Sequence, residues 1–261
     1  MRLIGFRRSP GSYLFAAVIA LFLFHLHAGI TAPTEGMLPL ISAPRGELGG
    51  DFTGEYELRE IGSDDLTLRR FLFRVEYVPF AFGAFWGEAG VAALKVKSAD
   101  MTLDGDYGLA LGGGVLAALP QPALGITPFA LARATYFLSK AGGESETYPG
   151  VRQSRRSQFK WLEISGLAAA GGRIGPGNLY AGLGLRSLFQ DEKRSTQSNN
   201  SVSSRKFSYD SGLEFGAVAA YQVPLNNRWH ARAMVEIYQN GQRATLAFGQ
   251  WGSPAGFFGG E

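Results

Sequence analysis

The sequence predicts an all-β chain, a transmembrane up-and-down antiparallel β-barrel of ten strands, with eight as the alternative count. Three observations lead there. Apolar and polar residues alternate with a period of two through successive segments, the pattern of strands with unlike faces. The breaks between segments alternate between short turns and longer polar stretches, which puts each kind at one end of an up-and-down array. The N-terminus carries the basic, apolar and small-residue order of an export signal.

The elements follow in chain order. In "MRLIGFRRSPGSYLFAAVIALFLFHLHAG", Arg2, Arg7 and Arg8 precede an apolar run from Tyr13 to Leu26, and Ala28 follows. That run is shorter than the ~20 residues a helix needs to span a bilayer. Residues 1–28 are therefore read as a signal peptide, cleaved after Ala28, with Ala32 as the alternative. Residues 29–45 are rich in Pro and Gly and read as a flexible lead-in, 46–251 as the barrel, and 252–261 as an irregular tail. No later segment holds ~18 consecutive apolar residues, so no transmembrane helix is expected in the mature chain.

The first strand, 46–59, sets Phe52, Tyr56 and Leu58 against Asp51, Thr53, Glu55, Glu57 and Arg59. The second, 66–78, sets Phe71, Phe73, Val75 and Tyr77 against Arg70, Arg74 and Glu76. The third, 84–97, begins a lipid register with Phe85, Ala89 and Val91 that Lys95 and Lys97 would continue; either a bulge near 92–94 intervenes or the lysines stand above the membrane. The fourth to seventh are 106–119, 126–139, 159–171 and 178–190. The eighth, 206–223, sets Phe207, Tyr209, Leu213, Phe215 and Tyr221 against Asp210, Glu214 and Gln222. The ninth, 228–238, sets Trp229, Ala231, Val235 and Ile237 against His230, Arg232 and Glu236, and the tenth, 242–251, sets Leu246 and Phe248 against Arg243 and Thr245. The short breaks are 79–83, 120–125, 172–178 and 224–228; the polar ones are 60–65, 98–105, 140–158, 191–206 and the tight Asn240–Gly241.

Composition agrees. Thirty-six glycines, 13% aromatic and 18% charged residues suit an all-β chain. A net charge of +3 without a basic helix or aromatic platform gives no argument for nucleic acid. The absence of cysteine excludes disulfides, cysteine nucleophiles, thiolate metal sites and a lipobox anchor.

Alternation alone fits a soluble barrel as well as a membrane one. The long uniform apolar faces, the export signal and the alternating breaks favour the inverted arrangement, with lipid outside and charge inside. The lumen then receives Asp51, Glu55, Glu57, Glu76, Glu88, Glu163, Asp210, Glu214 and Glu236 with Arg59, Arg70, Arg74, Arg186, Arg232 and Arg243, while Arg133 is left unassigned. Near-matched charges suit a closed, hydrogen-bonded interior, because an unpaired charge in a narrow lumen is costly. Small residues at Gly108, Ala110, Gly112, Gly114, Gly182 and Gly184 offer room for long side chains from opposite walls. A structural ion-pair core is preferred over a charged pore or proton path.

Little points to catalysis. His230 is the only histidine beyond the signal, and an interior or interfacial hydrogen-bonding role is preferred for it. Glu55 and Glu57 share a strand face with arginines expected beside them, so ion pairing outweighs acid–base chemistry. Gly112 to Gly114 lacks the Lys-Ser/Thr and helix of a phosphate loop. No catalytic residue, metal site or cofactor is expected. Among the polar breaks, Arg152, Arg155, Arg156 and Lys160 form one basic group and Lys193, Arg194, Arg205 and Lys206 another, placed to meet lipopolysaccharide phosphates.

The signal, the segments "DFTGEYEL", "FLFRVEYV" and "LEFGAVAAY", and the final "TLAFGQW" resemble the small outer-membrane barrels of Gram-negative bacteria, of the OmpA-like and opacity/OmpW-like kind, over roughly residues 46–251. The resemblance is architectural. It implies the cell outer membrane as location, outer-membrane lipid, lipopolysaccharide and the barrel-assembly machinery as partners, and no nucleic acid. Ten residues follow Trp251, where such barrels end on an aromatic. The function expected is a structural or surface-interaction barrel with a largely plugged interior. The alternatives are a narrow porin-like channel for ions or small solutes, and a lipid-modifying or proteolytic barrel enzyme.

Overall fold

Period-two alternation becomes eleven strands in the computed structural model, which describes residues 40–252 apart from 42, 44, 99–100, 120–124, 149–150, 199–200 and 227. They are β1 (Leu48–Ile61), β2 (Asp64–Phe80), β3 (Gly83–Lys97), β4 (Thr102–Asp106), β5 (Gly108–Ala118), β6 (Ile126–Tyr148), β7 (Val151–Ile174), β8 (Gly177–Ser198), β9 (Ser201–Pro224), β10 (Trp229–Tyr238) and β11 (Gly241–Gly252). Neighbours pair antiparallel, and β1 pairs β11 from Leu48↔Gly252 to Arg59↔Gly241, closing the sheet on itself. Both β4 and β5 lie between β3 and β6, so they form one wall interrupted at Tyr107. The ring therefore has ten walls, the expected number. The expected signal peptide and residues 253–261 of the expected tail lie outside the described residues, while Gly252, expected to begin the tail, ends β11.

The apolar register faces out. Phe52, Leu183, Phe215 and Leu246 are exposed, while the alternate residues of the same strands are buried. Water would reject such a surface, whereas lipid favours it, and a polar interior with an apolar exterior is the pattern of transmembrane barrels. Phe80–Phe82 and Trp229–Phe248 stack at the lower end, where the short turns lie. The tight contacts inside explain the small residues: a Cβ on Gly112 would strike Glu88 and Ala134, and one on Gly114 would strike the Trp86 ring and Ala132.

The interior has three layers. The lower holds Leu40, Ile41, Val78, Trp86, Leu116, Phe129 and Tyr180. The upper holds Leu66, Leu68, Leu94, Val96, Leu103, Phe137, Phe159, Trp161 and Leu188. Charged side chains fill the space between.

Four features depart from the sequence expectation or decide it. The breaks 140–158 and 191–206 are largely strand: β6–β7 and β8–β9 continue pairing up to Tyr148↔Val151 and Ser198↔Ser201. Above the lipid both faces of a strand meet polar surroundings, so hydrophobic alternation disappears although the ladder continues. In β9 the pairing steps from Ser187↔Leu213 to Phe189↔Asp210, a bulge at Ser211–Gly212 with Gly212 at φ 64°. One extra residue reverses the faces beyond it. Asp210 is thereby removed from the lumen and exposed beside Phe189, while Phe207 and Tyr209 leave the lipid register. In β3 the pairing with β2 is continuous from Phe85 to Lys97, so there is no bulge at 92–94; Lys95 and Lys97 stand at the upper end, with Lys95 on Asp104 at 2.7 Å. Finally, the last described residues of the lead-in are not free: Leu40, Ile41 and Ala43 are buried in the lumen. The strap is held because Gln222 accepts from the Leu40 amide at 3.0 Å and donates to the Ile41 carbonyl at 2.9 Å, and Arg232 donates to the Leu40 carbonyl.

Candidate functional site

Inward positions of β1 to β3 and β6 to β11 project carboxylates and guanidiniums toward one another across the ring. Glu57 is the centre: Arg186 reaches it at 2.6 Å and Arg243 at 2.9 Å, with Arg70 at 3.6 Å and Arg59 at 3.8 Å. Arg243 also binds Glu163 at 2.6 Å and Glu236 at 3.3 Å. Glu55 takes Arg70 and Arg133, each at 2.6 Å, and Arg133 continues to Glu88 at 2.7 Å. Glu214 takes Arg59 and Arg186, and Asn240 donates to it. Nearer the lower end Asp51 binds Arg232 at 3.0 Å, and Arg74 binds Glu76 at 2.9 Å while lying over the Trp86 ring. Every one of these groups belongs to a different wall or a different height, so the network ties the ring across its diameter.

Arginine suits this layer because its fork serves two or three carboxylates at once. Neutral donors complete the set: Thr135 on Glu88, Thr53 on Asp51 and Tyr238 on Glu236. A cavity of about 50 Å³ remains among Thr53, Glu55, Arg74, Arg133, Glu236 and Thr245, room for a few waters at most.

Of the residues expected in the lumen, all but Asp210 are buried there. Arg133, unassigned by sequence, bridges Glu55 and Glu88; "FALARAT" puts Arg133 on one register with the apolar Phe129 and Leu131 and only alanines on the other, so neither register reads as the lumen face. His230 is fully buried near the lower end of β10, two residues from Arg232.

The basic groups expected to meet lipopolysaccharide divide by face. Arg155 and Arg194 turn in to Glu192, at 3.1 and 2.9 Å, because odd positions of β7 and even positions of β8 face inward. Burial of Glu192 alone would raise its pKa, but hydrogen bonds from Arg194, Ser157 and Arg155 hold it below the ordinary glutamate range. Arg156, Lys160, Lys193 and Lys206 face out, Arg205 is exposed opposite Arg194, and the side chain of Arg152 lies outside the described residues. The outward set gains Lys140, which sequence reasoning did not single out. It stands in one register row: Lys140↔Gln158, Gln158↔Lys193, Lys193↔Lys206.

Comparison with solved structures bears on this architecture. The translocator domain of the autotransporter NalP from Neisseria meningitidis superposes with a TM-score of 0.55 at 10% identity, covering 91% of this chain and 96% of that one. The outer-membrane protease OmpT from Escherichia coli follows at TM-score 0.43, 6% identity, and 81% and 96% coverage. An outer-membrane channel from Pseudomonas putida F1 gives 0.41, 9%, and 85% and 100%. No protein-family model and no curated protein matches the chain. The fold is that of an outer-membrane β-barrel.

Proposed function

We propose that the protein is a structural or surface-interaction barrel of the Gram-negative outer membrane whose interior is closed to solutes. The carrying observation is the middle layer, where Glu57, Glu163 and Glu55 are each bound by two or more arginines and all are buried. A conduit needs charges that solvent reaches; these are occupied by one another, between two apolar layers. Conductance of the refolded protein in a planar bilayer is the test. The expected record is a flat baseline, and steady ion-sized steps in the unaltered protein overturn the reading.

A narrow channel is the second reading, favoured by the water-sized cavity beside Glu55 and Arg133. It predicts that steps appear in the unaltered protein and change their cation-to-anion preference in Arg133→Gln.

A further inference from the structure

The outer face of the upper hairpins holds a groove that the closed lumen does not use. It has a volume of about 910 Å³ and is bordered by residues of β4 to β9. Lys140, Lys160, Lys193 and Lys206 line it, all exposed and none in an ion pair among the described residues. Asp106, Asp191 and Glu192 also line it, with Asp106 opposite Lys140 and Asp191 opposite Lys160; Asp191 accepts from the Ser208 hydroxyl at 2.7 Å. The Glu192 carboxylate is already bound by Arg155 and Arg194 on the inner face, so four lysines against two outward carboxylates leave the groove positive.

Two features make this more than a solvated charged surface. Lys193 and Lys206 are direct cross-strand partners on adjacent strands. Strands lie ~4.8 Å apart, and like charges placed opposite one another destabilise the pair; a bridging anion would convert that repulsion into attraction. The groove also has an apolar side, where Tyr107, Leu109 and Leu138 are exposed and continuous with the lipid-facing register through the Phe71–Tyr107 contact. A free anion needs only the lysines, whereas a lipid carrying phosphate on a sugar headgroup uses both sides.

We propose that this groove seats the phosphorylated headgroup of an outer-leaflet glycolipid, its phosphates on Lys140, Lys193 and Lys206 and its first acyl carbons against Tyr107, Leu109 and Leu138. Lys160 is directly opposite Asp191 and Leu138, one step toward the lipid register, and serves the second phosphate. The inference rests on the outer-membrane reading above.

The test uses the full barrel refolded in neutral detergent and measures binding of bisphosphorylated lipid A, of the same lipid after dephosphorylation, and of inorganic phosphate as competitor. The expected result is phosphate-dependent lipid binding that millimolar inorganic phosphate does not displace, weakened at least about tenfold by Lys140→Gln/Lys193→Gln/Lys206→Gln, since each lysine near an anionic surface adds roughly a factor of five. The control Lys95→Gln/Lys97→Gln removes upper-end lysines outside the groove and leaves binding unchanged. Equal binding of the dephosphorylated lipid, equal loss in the control, or full displacement by inorganic phosphate overturns the groove assignment. Insertion into neutral phosphatidylcholine vesicles is followed in parallel. A barrel that inserts without phosphate preference defeats the groove alone, whereas failure to insert defeats the membrane reading beneath it.

Discussion

The two faces of strands β6 to β9 carry similar amounts of basic charge and treat it in opposite ways. Inside, arginines dominate, and Arg133 and Arg186 each touch two carboxylates. Outside, lysines dominate, and Lys140, Lys160, Lys193 and Lys206 touch no acid within ion-pair distance among the described residues. The difference follows from solvent. A guanidinium is weakly hydrated and gives up water for a planar fork of carboxylates, while an ammonium is strongly hydrated and stays at the rim. The choice of base thus separates groups that hold the barrel together from groups left available to something else.

Removing a carboxylate from the inside is the strongest way to break that contrast. Glu57→Leu leaves Arg186 and Arg243 short of a buried partner, and the expected loss is about 3–5 kcal/mol, read as a lower urea midpoint of the barrel in vesicles. An unchanged midpoint would place the lumen charges on the same footing as the rim. Next in size is the strap. Gln222→Ala deletes two buried hydrogen bonds to Leu40 and Ile41, worth roughly 1–3 kcal/mol together, and should expose the chain near Leu40 to protease while the ring stays folded.

Glu192 gives a smaller effect with a definite sign. Its pKa is lowered below 4.5 in the folded state, so it stabilises the upper hairpins while ionised. That contribution is present above the unfolded glutamate pKa and disappears as pH falls through the lower folded value. Protease resistance of the β8–β9 hairpin should therefore decline on acidification below 4.5, and Glu192→Gln should remove that dependence. The smallest effect lies outside. Lys206→Glu replaces a like-charge pair with an opposite one, for an expected gain of ~0.2–1 kcal/mol on the urea midpoint, opposite in direction to every interior change.

Much of this was legible in the chain. Ten walls follow from alternation because lipid outside and charge inside impose opposite demands on neighbouring residues, and every expected lumen carboxylate except Asp210 is buried inside the ring. The rule fails where its cause is missing. Above the lipid nothing requires apolar residues, so the hairpins around Tyr148 and Ser198 read as loops. At Ser211–Gly212 the serine and glycine carry no facial preference, so the bulge is invisible and Asp210 appears to point inward. Near Arg133 the outward register holds only alanines and the inward one holds Phe129 and Leu131, so polarity does not mark the lumen face. The strap at Leu40 is held by Gln222 and Arg232, partners 182 and 192 positions away, a distance that no local pattern reports.

The same long reach has a consequence for how the molecule comes to exist. Arg243 and Glu57 are separated by 186 positions, and β11 meets β1 only when the ring closes. Until the last strand arrives, Glu57 lacks Arg243 and Glu163 lacks its shortest ion pair. Contacts this distant in sequence form slowly, because the intervening chain must be ordered first. Charge neutrality inside the barrel is therefore an event in time as well as a state, and a chain that stops before its final hairpin keeps a water-seeking interior that has no stable place in a bilayer.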